Sequence, residues 1–378
     1  MRLRYQIPVF TILRTIFNTA HRMAYPFLGF FARGLGVDIT VISLAITSRS
    51  FLGMFIPLIS SMSDQRGRKF GMLAGTAVFT LAVGLVAIFP SMLTLGAALI
   101  LALLGKFLFD PAMQAYLGDR IPYQRRGLAL SITEFGWSLA FIIGIPLVGF
   151  LIDRYGWQAP FPVLALLGAG MFLIILVMIE SDHPHAATES ALAKFKLVLT
   201  DIPTLAGISI AIWANAANEL VNLIFGIWLE DSFALKISAL AAASAIIGIS
   251  ELGGESLVAV FTDRLGKKRA LTVGLLACGL SSVALPLVSR TEIGALIGLF
   301  FFYITFEFVM VSHVPMMTEL LPAARATVMS FNLTGHSLGR VIGALLATFV
   351  YQSFGFSVVT MLSALFYLFA LLALRKIK

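Results

Sequence analysis

The chain has 378 residues, of which 59% are hydrophobic and only 12% are charged, and its mean hydropathy is +0.96. A soluble domain cannot bury this fraction of apolar residues, because polar residues must cover its surface. The net charge of +8 does not indicate nucleic-acid binding, because the basic residues lie mainly in alternate loops between apolar segments. The composition therefore predicts a helical membrane protein.

Apolar segments long enough to cross about 30 Å of hydrocarbon as helices recur along almost the whole chain. Predicted helices 1 to 6 span 7–32, 39–62, 70–90, 92–117, 127–152 and 158–180. After a polar linker at 181–202, predicted helices 7 to 12 span 203–229, 237–261, 270–288, 292–317, 327–350 and 354–374. The predicted fold is an all-α polytopic membrane protein with twelve transmembrane helices. They form two six-helix halves, 1–180 and 203–378, joined by the linker.

The two halves repeat each other at an offset of 199 residues. The offset relates Asp64 to Asp263, Gly67 to Gly266, Arg68 to Lys267, Gly136 to Gly335 and Gly144 to Gly343. A repeat of this length is too large for a solenoid unit and indicates a duplicated half-molecule. The halves are therefore expected to be pseudo-symmetric.

Lysine and arginine are concentrated at both termini, in the linker and in one set of loops. The other set of loops holds only Arg33, Arg154, Lys236 and Arg290. Basic residues accumulate on the cytoplasmic side of membrane proteins. The predicted location is the cell inner (plasma) membrane, with both termini and the linker in the cytoplasm.

Fully charged residues fall inside most predicted helices, but helices 3, 9 and 12 contain none and helix 6 has only Glu180, at its end. Away from the helix ends, where Glu292 begins predicted helix 10, the eleven residues are Arg14, Arg22, Arg49, Lys106, Asp110, Glu134, Glu219, Glu251, Glu255, Glu307 and Arg340. An ion at membrane depth is costly and normally faces a bundle interior or an aqueous cavity. Every third helix is thus expected to face lipid, while the other eight enclose a polar space.

Polar residues also share helix faces. Helix 1 carries Arg14, Asn18, His21 and Tyr25 at i, i+4, i+7 and i+11, and helix 7 carries Asn215, Asn218, Glu219 and Asn222 on one face. Further candidates for lining a substrate cavity are Lys106 and Gln114 on helix 4, Tyr303 on helix 10, and His336 and Arg340 on helix 11. The acids Asp110, Glu134 and Glu307 lie on helices 4, 5 and 10.

Two interpretations of these ions stay open. Lys106 and Asp110 lie one turn apart and could form a purely structural pair. Glu219 and Glu307 have no obvious local partner, which favours a functional role, because a desolvated carboxylate is a natural carrier of a coupling proton. Glu219 and Glu307 are the first candidates for proton coupling, followed by Asp110 and Glu134.

Sequence motifs of several enzyme classes are absent from the chain. It contains no phosphate-binding loop, no H-E-x-x-H, no Cys/His ligand cluster and no G-x-S-x-G. We therefore predict no enzyme activity, no metal site and no cofactor. A channel would need a ring of like charges, whereas the charges here have mixed signs. Two pseudo-symmetric halves with charges buried midway favour alternating access instead.

The loop at 63–69, S-D-Q-R-G-R-K, resembles the signature loop of the major facilitator superfamily, G-x-x-x-D-R-x-G-R-[RK], with Gln65 in place of a basic residue. The second copy at 263–268, D-R-L-G-K-K, keeps the pattern more closely. The segment 144–149, G-I-P-L-V-G, resembles in degenerate form the G-P-x-x-G-G motif of the family's twelve-helix drug/proton antiporters. Lys106 stands where the family's helix 4 motif usually has arginine. The resemblance covers essentially the whole chain.

In that family the loop aspartate is held to interact with a neighbouring helix end, and the basic residues with an acid at the end of helix 4. The resemblance therefore implies a cytoplasmic gate in each half. Its residues are Asp64, Gly67, Arg68 and Asp119 in the first half and Asp263, Gly266, Lys267 and Glu319 in the second.

Residues and resemblance together lead to a proton-coupled antiporter that exports a small amphipathic compound by alternating access. Its expected partners are that compound, protons and the lipid bilayer, with no nucleic acid, and the protein is expected to be a monomer. An importer or facilitator of a small metabolite, such as a sugar or organic anion, is an alternative, because the basic stripe of helix 1 suits an anion. A membrane sensor that does not transport is an alternative from another class.

Overall fold

The computed structural model describes residues 3–55, 67–180, 191–321 and 324–377. The helices up to the middle of the chain are α1 (Leu3–Arg22), α2 (Leu28–Leu35), α3 (Ile39–Leu52), α4 (Arg68–Ile88), α5 (Met92–Arg120), α6 (Tyr123–Leu139), α7 (Ile145–Tyr155) and α8 (Pro160–Met178). Those that follow are α9 (Ala191–Thr200), α10 (Ile202–Phe233), α11 (Ile237–Leu265), α12 (Lys267–Val288), α13 (Glu292–Leu320), α14 (Arg325–Phe354) and α15 (Phe356–Leu374). A 3₁₀ turn, Gly53–Phe55, follows α3, and a π-helical segment, Ala140–Gly144, joins α6 to α7.

In the part of the chain that the structure describes, ten helices are long and apolar enough to cross a membrane, with Ile132–Tyr155 counted as one. The number is eleven if α2 and α3, which meet at a bend of 119°, form one span. The prediction of an all-helical polytopic membrane fold is confirmed, whereas the predicted count of twelve is not reached. One reason is that α1 has 20 residues but carries a polar stripe. Another is that predicted helix 2, 39–62, is described only to residue 55.

The prediction of a continuous first helix over 7–32 is wrong. Helix α1 ends at Arg22, residues 23–27 form turns, and α2 begins at Leu28. Pro26 explains the interruption, because proline lacks an N–H group, clashes with the preceding helical turn and disfavours helical geometry at the residue before it. All residues of the interruption are buried.

Side-chain caps mark where several helices begin. Ser91 and Thr94 form a capping box at the start of α5, Asp201 accepts a hydrogen bond from the Thr204 amide at α10, and Thr291 accepts one from Gly294 at α13. Asp38 caps α3, and hydrogen bonds from the hydroxyl and amide of Thr40 hold the pKa of its carboxyl below the usual range. These caps satisfy backbone amides that have no partner within their own helix.

The chain forms two compact units. The first comprises Met1–Ala187 with Lys236–Ala245, and the second comprises Thr188–Leu235 with Ile246–Lys378. Helix α11 therefore contributes its first residues to one unit and the remainder to the other. Within the first unit, α4 and α5 approach closely at Gly75 and Gly105. A Cβ at Gly75 would lie 2.4 Å from the Gly105 carbonyl oxygen, and a Cβ at Gly105 2.5 Å from that of Gly75.

The duplicated glycines serve the same packing in both units. In the first unit, a Cβ at Gly136 of α6 would lie 2.9 Å from the Thr11 carbonyl oxygen of α1. In the second, a Cβ at Gly343 of α14 would lie 2.6 Å from the Ala216 carbonyl oxygen of α10. Small residues allow helix backbones in membranes to approach closely. Predicted helices 5 and 11 thus pack against helices 1 and 7 through glycines that recur in the repeat.

Candidate functional site

Four ionisable side chains meet inside the first unit, and we call them the ionic cluster: Arg14 of α1, Lys106 and Asp110 of α5, and Glu134 of α6. Arg14 Nε lies 3.2 Å from Asp110 Oδ1, and Arg14 Nη1 lies 2.7 Å from Glu134 Oε1. Lys106 donates a hydrogen bond to Asp110 Oδ2. Two cations and two carboxylates make the formal charge of the cluster zero. The pair Lys106–Asp110, foreseen from its spacing, is thus part of a larger network that reaches helices 1 and 5.

The members of the ionic cluster differ in their access to solvent. The side chains of Arg14, Lys106 and Asp110 are 5%, 12% and 13% exposed, whereas that of Glu134 is 46% exposed. Gln114 Nε2, one turn beyond Asp110, donates to Glu134 Oε1 at 3.3 Å. Buried ions are tolerated when opposite charges and hydrogen bonds compensate them. Glu134 is therefore the carboxylate of the cluster that a ligand or a proton reaches most readily.

The remaining residues of the helix 1 stripe contact neighbouring helices. Asn18 Nδ2 donates to the Gly136 carbonyl at 3.1 Å. The rings of His21 and Trp137 have centroids 6.0 Å apart. The Tyr25 hydroxyl accepts a hydrogen bond from Arg49 at 3.0 Å. All three residues of the stripe are buried.

An aromatic setting for Arg22 was missed by the sequence reasoning. Arg22 Nη1 donates to the Trp137 carbonyl at 3.2 Å, and its guanidinium carbon lies 4.2 Å from the Trp137 ring centroid and 3.5 Å from that of Phe141. Phe141 lies in the π-helical segment, a geometry that is common at functional sites. Lys106 Nζ is also 5.8 Å from the Trp137 ring. Stacking on aromatic faces stabilises these buried cations.

In the second unit, Glu219 of α10 is 1% exposed. Asn222 Nδ2 donates to Glu219 Oε2 at 3.4 Å, and the Tyr303 hydroxyl of α13 donates to Asn222 Oδ1 at 2.9 Å. Three residues that the sequence assigned to helices 7 and 10 thus form one chain of hydrogen bonds. We call Glu219, Asn222 and Tyr303 the carboxylate relay.

His336 of α14 is held between two amides. Asn215 Nδ2 lies 3.1 Å from His336 Nδ1 and also donates to the Ala211 carbonyl, so Nδ1 is the acceptor. The Asn332 amide lies 3.1 Å from Nε2. The Asn332 atom at this distance is Nδ2, so each ring nitrogen of His336 faces the amide nitrogen of an asparagine. Asn332 was not among the predicted residues, although it lies one turn before His336.

Three further candidates in the second unit lie outside these two groups. Asn218 is buried beside Glu219, and Arg340 is half-buried one turn after His336. Glu307 of α13 packs closely against α11, because a Cβ added at Gly254 of α11 would lie 2.7 Å from the Cβ of Glu307.

At the ends of the helices, each unit holds an ion pair between the residues predicted for the gate. Arg68 Nε lies 3.6 Å from Asp119 Oδ2 in the first unit, and Lys267 contacts Glu319 in the second. Gly67 and Gly266 precede α4 and α12 with φ of 95° and 79°, a backbone conformation that favours glycine. Asp64 lies outside the described residues, as does the side chain of Asp263.

The lysine next to each gate cation has a contact that the sequence did not predict. Lys69 Nζ donates to the Leu176 carbonyl near the end of α8 at 2.9 Å, and Lys268 donates to the Ile377 carbonyl just beyond α15. Cations are stabilised at the C-terminal ends of helices. The loop motif of each unit is thus tied to the last helix of the corresponding predicted half.

Comparisons with known proteins agree with this architecture. The multidrug resistance protein MdtG of Serratia proteamaculans (strain 568) is 26% identical over 387 residues, covering 93% of this chain and 88% of that protein. The uncharacterized MFS-type transporter YceJ of Bacillus subtilis (strain 168) is 24% identical over 306 residues, covering 79% of this chain and 77% of that one.

Among solved structures, a bacterial homologue of the human lysosomal transporter Spinster, inward-facing and unoccupied, matches with a TM-score of 0.77 at 14% identity. The match covers 99% of this chain and 97% of that one, and it shows the fold. The sequence model of the Major Facilitator Superfamily matches residues 10–320. The chain therefore belongs to the Major Facilitator Superfamily and is a multi-pass membrane transporter.

Proposed function

We propose that the protein is a proton-coupled antiporter that exports a small amphipathic compound across the inner membrane, with both termini in the cytoplasm. The observation that carries the proposal is the buried carboxylate Glu219, which a neutral amide contacts within the carboxylate relay. An ionisable group at membrane depth is costly and marks a transport pathway by default. The relatives named multidrug resistance proteins support export.

The carboxylate relay offers a way to convert protonation into movement. Ionised Glu219 accepts a hydrogen bond from Asn222, whose oxygen is bonded by Tyr303. A protonated Glu219 becomes a donor, and the Asn222 amide then has to turn its oxygen toward Glu219 and away from the Tyr303 hydroxyl to accept that hydrogen. The contact between α10 and α13 thereby depends on the proton, which biases the equilibrium between two arrangements of these helices.

We assign the substrate site to the ionic cluster of the first unit. Glu134 is the accessible carboxylate, and a cationic group on the substrate can take the place of Arg14 beside it. The half-exposed Trp137 ring, close to Lys106, supplies an apolar face for the remainder of an amphipathic molecule.

Alternating access requires that the two halves, 1–180 and 203–378, move relative to each other while the linker joins them. We propose that the pairs Arg68–Asp119 and Lys267–Glu319 help to hold the loops of the cytoplasmic gate. Both pairs are partly exposed, so each contributes at most about 1 kcal/mol and can open during the cycle.

The test uses purified protein in liposomes with an imposed pH gradient and an internal pH-sensitive dye. Amphipathic drugs, sugars and organic acids are added in turn, and empty liposomes are the control. We expect an amphipathic compound to evoke proton movement opposite to its own flux. Flux without proton movement would instead identify a facilitator, and exclusive response to sugars or organic acids would contradict the proposed substrate class.

A further inference from the structure

Arg49 lies on α3, ten residues after Ile39 and so about 15 Å along the helix. The residue is 1% exposed. Within the described ranges, no carboxylate lies within the 4.0 Å that defines an ion pair with Arg49. A buried arginine in a membrane helix needs compensating partners, because an isolated ion there is costly. Its partners must therefore be groups of another kind.

Those partners belong to the interrupted first helix. Arg49 Nη1 donates to the His21 carbonyl at 2.7 Å, and Nη2 donates to the Tyr25 hydroxyl at 3.0 Å. In a continuing helix the Tyr25 amide would donate to the His21 carbonyl. Here the Tyr25 amide donates to the Arg22 carbonyl instead, at 3.2 Å. Arg49 thus gives the His21 carbonyl the hydrogen bond that the interruption takes away.

The electrostatics of the interruption agree with this pairing. The carbonyl groups at the end of α1 carry partial negative charge, because the last turn has no helical donors. Interrupted helices of other transporters use such ends to bind an ion. In this chain the guanidinium of Arg49 occupies that place, and the Tyr25 ring lies 5.4 Å from its central carbon.

We propose that Arg49 is a positioning residue that fixes the interruption of the first helix at residues 23–27. Pro26 prevents a continuous helix but supplies no donor, so it cannot hold the segment in one conformation by itself. Arg49 does so from the neighbouring helix. It thereby fixes the orientation of α1, which carries Arg14 and Asn18, relative to α2.

The proposal predicts that a small guanidinium ion can replace the missing side chain. In purified Arg49→Ala protein, we expect amide hydrogen exchange at residues 21–27 to be at least about tenfold faster than in the wild type, as for loss of a hydrogen bond to a charged group. Guanidinium or methylguanidinium, added at a concentration that does not denature the protein, should slow this exchange again. Potassium chloride at equal ionic strength should not, and neither salt should affect the wild type.

Arg33→Ala is the matched control, because Arg33 is an exposed arginine on α2. It should leave exchange at residues 21–27 unchanged and show no response to guanidinium. Wild-type exchange in Arg49→Ala, or fast exchange that guanidinium does not slow, would overturn the proposal.

If Arg49→Ala does not fold, the same hydrogen-exchange measurement can be made on Arg49→Lys and Tyr25→Phe. Lysine retains the charge but cannot donate to both acceptors in the same geometry, and Tyr25→Phe removes one acceptor. Both should accelerate exchange at residues 21–27 by less than the alanine variant is expected to. Unchanged exchange in both would refute a positioning role.

Discussion

Arg14 Nη1 and Glu134 Oε1 lie 2.7 Å apart and join the first predicted helix to the fifth within the ionic cluster. Arg14 also contacts Asp110, so it serves two carboxylates at once. Its removal leaves those carboxylates with Lys106 as the remaining cation of the cluster. The stability of the first unit should therefore depend on the balance of charge and not on Arg14 alone.

We expect Arg14→Met to lower the free energy of unfolding by about 3 kcal/mol, because it leaves a buried charge uncompensated. The double variant Arg14→Met with Glu134→Gln restores a formal charge of zero and should recover part of that loss. Thermal unfolding in detergent, arranged as a double-mutant cycle, measures the coupling. Strictly additive effects of the two substitutions would show that the pair does not interact energetically.

The contact between Gly75 and Gly105 should be sensitive to a single methyl group. Gly75→Ala places a Cβ 2.4 Å from a backbone oxygen that cannot move independently, and we expect a loss of about 2 kcal/mol. Gly96→Ala on α5 is the control, because nothing lies within 4 Å of its Cβ. It should be neutral or stabilise the helix by up to about 1 kcal/mol. Equal melting temperatures for the two variants would contradict the close approach.

The glycine repeat illustrates what the sequence could predict. Gly136 and Gly144 recur as Gly335 and Gly343 because each unit needs the same close helix packing, and an offset within one chain reveals that need without a structure. The polar faces of α1 and α10 were visible for a similar reason, since helical periodicity is local. The partners across helices were not visible. No spacing indicates that Arg14 meets Glu134 of another helix.

The interruption of helix 1 has one signal in the sequence, a proline. Pro26 lies within the predicted span 7–32, but hydropathy favours continuity and the stabilising donor, Arg49, comes from another helix. The π-helical segment at Ala140–Gly144 has a comparable signal in Pro146, two residues after its end, because proline lacks the N–H group of a regular helix. The contact of Phe141 in this segment with Arg22 is a tertiary contact, which no local pattern indicates.

The pair Lys267–Glu319 should affect transport more than stability. Its side chains are 34% and 62% exposed, so Lys267→Glu should change the free energy of unfolding by about 1 kcal/mol or less. Lys267→Glu nevertheless places two negative charges next to each other at the end of α13. If the pair helps to hold the gate, this repulsion should slow the exchange of substrate for protons. Lys267→Glu combined with Glu319→Lys should restore the rate. Initial rates in liposomes test this, and a double variant as slow as the single one would argue against a gate role.

The Tyr303 hydroxyl should be required for coupling in the carboxylate relay. Tyr303→Phe removes the hydroxyl that donates to Asn222. We expect the initial rate of substrate/proton exchange in liposomes to fall about tenfold, which corresponds to a loss of about 1.4 kcal/mol. Tyr351→Phe is the control, since it also removes a hydroxyl bonded to a side chain, Asp231, but near the end of α14. The Tyr351→Phe variant should exchange substrate for protons at the wild-type rate. An equal effect of both substitutions would mean that the relay has no special role.

Counting the protons moved by the Glu219→Gln variant tests most directly whether Glu219 carries the coupling proton. The variant keeps the size of the side chain but cannot carry a proton, and Glu292→Gln, at the exposed start of α13, is the matched control. In liposomes that report internal pH, wild type and Glu292→Gln should show substrate-evoked proton movement opposite to substrate flux, and Glu219→Gln should show none. Undiminished proton movement in folded Glu219→Gln would contradict coupling through this carboxylate.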